Sequence, residues 1–348
     1  IAQEEEDLQD LKNFIDSIYP ESIGNTLLQA DLYADAAVYE QRYVPALLWG
    51  LSDRLSIGAI LPIVKRKITS SFEARVYNQG AELEKLVGDA TELKKAARLL
   101  KNAEVNTQTF SKAIFTKYGY TAPANFEKNG ISDLEVEARY LYYKNNSLSL
   151  GLRVGLRFPT AKDNSDLSNL LDEPLGKGDY GLKLGLLQDY KPFGPNWILS
   201  SGFFAIYNFS SQVTKAIQRS SEQILPDLTD PYQVEQVQRQ RGVDFNSDIA
   251  LSRAFFRRKL WFAASYIFAY HGKDRYQGTR NLDYAALSSG TKSSEHGYEL
   301  SVELSSIQMF LDEEFPVPTK LVFAWYQPVS GSNALFAPFG RMDFAMLF

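Results

Sequence analysis

From Ser132 to Pro159 the chain runs through two arms of alternating character, broken only at Lys144-Asn145-Asn146. In the first arm Leu134, Val136, Ala138, Tyr140 and Tyr142 share one parity, and Asp133, Glu135, Glu137 and Arg139 share the other. The second arm sets Leu148, Leu150, Leu152, Val154, Leu156 and Phe158 against Ser149, Gly151, Arg153, Gly155 and Arg157. Side chains alternate between the two faces of a strand, so each arm predicts a strand with one apolar and one charged side. Apolar faces must coincide across a hairpin, which requires even-numbered residues to pair with even-numbered ones. That register predicts an odd-length turn centred on Asn145 in left-handed backbone. It places Arg153 opposite Glu137 and Arg157 opposite Asp133, pairs that stabilise a sheet by about 0.2–1 kcal/mol each.

Such a ribbon suits a soluble sheet over a core, or a membrane wall with lipid on the apolar side and polar residues lining a lumen. No run approaches the roughly 18 apolar residues of a spanning helix, which leaves the question open because membrane barrels hide from hydropathy scans. A net charge of -5, with no basic block, argues against a nucleic-acid partner. With no cysteine the chain has neither disulfides nor thiolate metal sites.

Similar alternation recurs at 28–38, 180–188, 245–256, 260–270, 298–306 and 339–348, with less regular apolar stretches at 43–51, 55–63, 197–208 and 320–327. Pro45 and Pro62 weaken the second and third of these in chain order, since proline removes a ladder donor. Short connections near 52–54, 144–146, 191–196, 257–259 and 309–319 alternate with long ones at 66–129, 160–179, 209–243, 272–296 and 328–338. Transmembrane barrels have this asymmetry, with short periplasmic turns at one rim and long external loops at the other. The expectation is an all-β, transmembrane, antiparallel up-and-down β-barrel of about 12 strands with helical external insertions. Arg253 is the exception to the alternation, on the face assigned to lipid, a position tolerable near a rim.

The domain expectation is an N-terminal helical plug or periplasmic segment over residues 1–24, then the barrel over 25–348. Leu8, Leu11, Ile15 and Ile18 stand at helical spacing in the first, where a plain surface helix is the competing reading. A chain opening at Ile1-Ala2-Gln3 fits a precursor whose signal peptide has been cleaved, and equally a trimmed chain. Within the insert 66–129, residues 81–105 carry apolar residues at a 3.6-residue period, predicting an amphipathic helix. In the loop 209–243, the segments 213–224 and 232–241 also read as helical.

The last stretch alternates through Met342, Phe344, Met346 and Phe348. It resembles the C-terminal signature that the barrel-assembly machinery reads in bacterial outer-membrane barrels. Gly130-Ile-Ser-Asp-Leu, the strand 151–160 ending in Pro-Thr, and Gly176-Lys-Gly-Asp-Tyr resemble the outer-membrane proteins of the phenol-degradation-pathway (MetA-pathway) transporter family. Those are remote relatives of the FadL-type channels for hydrophobic compounds. The resemblance covers residues 130–208 and leaves the insert 66–129 unmatched. It implies the bacterial outer membrane as location, the lipid bilayer and lipopolysaccharide as surroundings, and a small hydrophobic ligand as cargo.

No catalytic constellation, metal spacing or cofactor motif accompanies this pattern. His271 and His296 are the only histidines, and the expected state of both is a solvated side chain at the external rim. The pair His271 and Asp274 imitates a protease dyad without a nucleophile. Asp163, Asp166, Asp172, Glu173 and Asp179 lack the ordered spacing of a calcium loop.

If the apolar face meets lipid, Asp31, Asp35, Asp133, Glu135, Glu137, Arg139, Arg153, Arg157, Lys183, Glu299, Glu303, Arg341 and Asp343 line the lumen. They either crosslink and fill it or set the selectivity of a water-filled path. The function expected is a passive transporter for small hydrophobic or amphipathic molecules, lidded by external helices. The alternative is a non-conducting barrel whose external loops bind a partner.

Overall fold

A computed structural model describes residues 28–78, 115–122, 124–161, 165–221, 223, 225–334 and 336–346. The chain divides into two compact units, Ile1–Glu40 with Arg66–Lys128 and Asp166–Glu173, and Gln41–Lys65 with Asn129–Ser165 and Pro174–Phe348. Residues 1–24, the helix expected at 81–105 and the terminal Phe348 lie outside the described residues.

In the first unit, β1 (Leu28–Tyr43), β4 (Ile63–Asn78) and β5 (Phe126–Ile131) contribute to a three-stranded sheet in the order β1-β4-β5. Residues 66–78, read from sequence as part of a helical insert, are therefore strand. Arg66 donates from Nε to Glu40 at 2.8 Å, and Lys128 meets Asp172 at 2.7 Å.

The second unit is dominated by an eleven-stranded antiparallel sheet. In chain order its strands are β2 (Ala46–Gly50), β3 (Leu55–Ile60), β6 (Leu134–Lys144), β7 (Leu148–Phe158), β8 (Gly181–Tyr190) and β9 (Trp197–Asn208). They continue with β12 (Asp244–Phe255), β13 (Leu260–His271), β15 (Ser293–Ser305), β16 (Thr319–Ser332) and β17 (Phe339–Met346). Each strand pairs with the sheet strand before and after it in the chain, so β2 and β17 are the edges. Successive connections of such a meander fall at alternate ends, which puts every long connection at one end of the sheet. The expected strand at 28–38 does not join this sheet: β1 pairs with β4, not with β2. Proline explains the handover. Pro45 and Pro62 end β2 and β3, and the Pro45 carbonyl accepts from Leu61 N–H at 3.2 Å.

The β6–β7 hairpin corrects the expected register. Even residues do pair with even ones over Leu134–Tyr140, but Glu135 faces Arg157, Glu137 faces Gly155 and Arg139 faces Arg153. Over Leu134–Leu141 the pairing is displaced by two residues, which parity alone allows. A bulge between Leu141 and Tyr143 shifts the phase, so the turn does not have to be odd. Asn145 is not left-handed here. Its carboxamide oxygen accepts from the N–H groups of Ser147 (2.8 Å) and Leu148 (2.7 Å), closing the turn through its side chain.

The burial pattern of this sheet inverts that of a soluble protein. On β15 Leu300 is 63% exposed, while its neighbour Glu299 is 8% exposed. Leu152, Leu184, Leu186, Phe203, Leu251 and Trp325 are likewise exposed, and Arg157 and Lys183 are buried. Gly185 permits close packing on the charged face, since a Cβ there would fall 2.8 Å from that of Phe204.

Two of the long connections fold on themselves. β10 (Ser211–Ala216), β11 (Val234–Gln240) and β14 (Arg275–Gln277) form a small sheet, joined by α1 (Tyr284–Ser288). This overturns the helical reading of 213–224 and 232–241. Val234 and Val237 imitate helical spacing, but in the strand Glu235 and Val237 share the buried face. Ile217, Val237 and Leu282 form the core of this loop sheet, with Val213, Tyr276, Tyr284 and Leu287 packed around them. At the opposite end α2 (Ile307–Leu311) occupies the connection before β16.

Candidate functional site

Two groups of polar residues lie on the charged face or at its long-connection end. Along the face, Glu135 of β6 meets Lys183 of β8 at 2.5 Å. Glu137 takes Arg139 (2.6 Å) and Arg153 (2.5 Å) together, bridging two like charges that stand directly opposite each other. Arg153 and Lys183 both lie over the Phe204 ring, at 5.0 and 5.3 Å. Farther round the sheet Glu299 pairs with Arg341 at 3.1 Å, Glu303 with Lys320 at 3.1 Å, and Arg341 with Asp343 at 2.9 Å.

The second group gathers where β7 ends, β8 begins, β9 ends, β12 begins and β13 ends. Asp179 is almost fully buried and hydrogen-bonded by the Arg157 guanidinium. Its Oδ2 lies 3.7 Å from Arg241 and 3.9 Å from Arg239. Arg157 also donates to Asn208 at 2.7 Å, and Asn208 donates to Asp244 at 3.1 Å. His271 joins two carboxylates, Asp244 through Nδ1 (2.6 Å) and Asp274 through Nε2 (2.9 Å). It is a partly buried bridge, not the solvated rim histidine expected. His296 is hydrogen-bonded to the Tyr266 hydroxyl.

Of the residues singled out from sequence, the structure joins Glu135, Glu137, Arg139, Arg153 and Lys183 in one cluster. Arg157 leaves its expected partner Asp133 for Asp179. Asp133 is buried and accepts backbone N–H groups from Lys177 (2.5 Å) and Ala161 (3.3 Å). Asp31 and Asp35 belong to β1, in the other sheet, and Asp35 is exposed. Met342, Phe344 and Met346 are exposed on β17. Within the acidic loop Asp172 pairs with Lys128, and Asp179 accepts from Arg157. Among the described residues no carboxylate and histidine cluster suits a metal. Sequence reasoning missed Asn208, Arg239, Arg241 and Asp244. The available signal was the alternation Glu235, Val237, Arg239, Arg241, hidden by the helical reading of that stretch.

Loop carboxylates give the site a pH dependence. Burial acts to raise the pKa of Glu235, but the Tyr284 hydroxyl and the Thr279 N–H and hydroxyl, all donating, hold it below the ordinary value. For Asp274 burial again raises, and hydrogen bonds from His271 and Gly242 N–H prevail, so its pKa is lowered. A carboxylate more acidic in the folded chain adds stability above its unfolded pKa and loses it as pH falls through the folded one. Between about pH 5 and pH 3 the loop sheet is therefore expected to loosen first. Relative to their intrinsic exchange rates at each pH, the Thr279 and Gly242 amides are expected to lose protection in that window, with the β7–β8 amides still protected. Uniform exchange across both regions contradicts this.

A family model described as "Putative MetA-pathway of phenol degradation" matches residues 16–302. No curated protein matches the chain. Among solved structures, an outer membrane channel from Pseudomonas putida F1 is similar at 14% identity and a TM-score of 0.46, over 90% of this chain and 82% of that one. OmpF of Salmonella typhi, in complex with daunomycin, is similar at 9% identity and a TM-score of 0.29, over 87% of this chain and 91% of that one. Structural likeness at these values assigns no activity. The family match spans most of the chain, whose large sheet exposes its apolar face: the chain belongs to the MetA-pathway phenol-degradation family.

Proposed function

We propose that the chain is a passive transporter for small hydrophobic or amphipathic molecules, formed by a closed barrel of about twelve strands. The observation that carries this reading is the inverted sheet, apolar and exposed on one face, charged and paired on the other. A sheet with lipid on one face has nowhere to leave the unpaired N–H and C=O groups of edge strands such as β2 and β17, so closure is the arrangement compatible with lipid. On this reading residues 25–348 build the barrel, the charged residues named above line its lumen, and the final strand carries the assembly signal.

The folded loop sheet, with its small apolar core, supports a lid at the external end. The cargo class follows the family and the lid, not a pocket lined for a particular compound. Density of pairing around Glu137 favours one alternative, a non-conducting barrel that anchors its loops for a partner. Planar-bilayer recording with solute uptake into proteoliposomes separates the two. Uptake of a small aromatic solute above that of a sugar of equal size supports transport. Absence of both uptake and conductance in a folded, inserted protein rejects it.

A further inference from the structure

At the short-connection end of the large sheet a group of cations has no carboxylate to match it. Arg253 lies on the apolar, exposed face of β12. Its cross-strand neighbours there are Trp197 of β9 and Phe262 of β13, and its neighbours along the strand are Leu251 and Phe255. All four are apolar. The guanidinium stacks over the rings of Trp197 (4.9 Å) and Phe255 (4.8 Å). In the turn that follows, Arg257 and Arg258 are exposed. Among the described residues none of the three arginines has an acidic partner, and Glu314, across from this turn, is taken by Lys259 at 3.0 Å.

The turn itself is unusual. Phe256, Arg257 and Arg258 are consecutive and all left-handed, with φ of 50°, 53° and 65°. Glycine or asparagine forms such a turn at less cost. Backbone strain of this kind points to a task for the side chains it displays. Phe256 and Phe193 are each 75% exposed, and the Phe193 ring packs edge-on to Trp197 at 6.0 Å. Aromatic rings beside cations, at the end of a lipid-facing strand, are the composition of a membrane interface.

We propose that Arg253, stacked on Trp197, together with Arg257 and Arg258 of the turn that follows, binds the phosphate of an anionic phospholipid in the periplasmic leaflet. The proposal rests on the reading that the apolar face meets lipid. An arginine on that face without a counter-ion is costly unless its head reaches a polar layer. Arg253 lies three residues before the turn, about 10 Å along the strand, within reach of a headgroup layer level with Arg257 and Arg258. The aromatic shelf holds its guanidinium outward, and the turn arginines supply the remaining donors. A phosphodiester meets that set of charges; a zwitterionic headgroup, carrying its own cation, meets it less well.

Trp197 reports occupancy directly. A variant with W49F, W261F and W325F leaves it as the single tryptophan, and this protein is reconstituted in phosphatidylcholine vesicles. Acyl-brominated phosphatidylglycerol and acyl-brominated phosphatidylcholine are then compared as quenchers. Phosphatidylglycerol is expected to reach half-quenching at a roughly hundredfold lower mole fraction, the three arginines contributing about fivefold each. R253Q is expected to reduce that preference about fivefold and R257Q/R258Q further still, at about fivefold per arginine, with R253K retaining it. Equal quenching by the two lipids overturns the proposal, as does an undiminished preference in R253Q and R257Q/R258Q. Quenching by neither lipid, in protein that co-floats with the vesicles, removes the lipid-facing assignment on which it rests.

Discussion

Asp179→Asn is expected to lower stability by about 3–5 kcal/mol, the range for breaking a buried charge cluster by removing one partner. The residue is almost fully buried, and one of its oxygens accepts from Arg157 while the other faces Arg239 and Arg241. Asparagine keeps the shape and deletes the charge, leaving three guanidinium groups without their common counter-ion. Asp172→Asn removes half of a single pair with Lys128 and is expected to cost less. Denaturant midpoints for refolding into detergent or lipid measure both. A second substitution, Arg157→Gln, is expected to recover part of the loss, since it removes one of the stranded charges. A midpoint for Asp179→Asn within about 0.5 kcal/mol of the parent, the ordinary range for surface changes, would falsify the cluster's role as a tie between loops and strand ends.

The second large effect concerns Leu186→Arg. Leu186 is 53% exposed in the middle of β8, with Leu152 on one side and Phe203 on the other. In water an exposed leucine tolerates arginine with a change near zero. Facing acyl chains near the midplane, the same substitution costs about 2–4 kcal/mol. Equilibrium refolding in lipid vesicles distinguishes these values. The control is Arg253, already a cation on this face, which at the strand end is expected to be replaceable by leucine without loss of fold. A neutral result for Leu186→Arg in vesicles would place the apolar face in water or against protein.

Much of the large sheet was legible because a lipid-facing strand and a core-facing strand write the same period-two pattern. The arms 134–144 and 148–158 were readable to within a residue or two. Their register was not, since parity admits displacements of two, and the choice between them fell to Gly155, which leaves space for Glu137 to reach Arg153 along a diagonal. The loop sheet was illegible for a different reason. Its strand β11 buries a glutamate beside a valine, so Glu235 and Val237 share a face that no hydropathy pattern marks. Asp179 sat in a stretch that read as solvated acid, because its three arginines come from β7, β11 and the residue beyond β11.

The large sheet is a meander in which every partner is the next sheet strand along the chain. A connection at either end can therefore be lengthened, trimmed or exchanged without re-pairing a single neighbour, at an entropic cost of only about 0.6 kcal/mol for each doubling of a flexible segment. Connections and scaffold are in this sense inherited separately. Descendants of one such chain can diverge in the segments between strands while keeping the same order of neighbours.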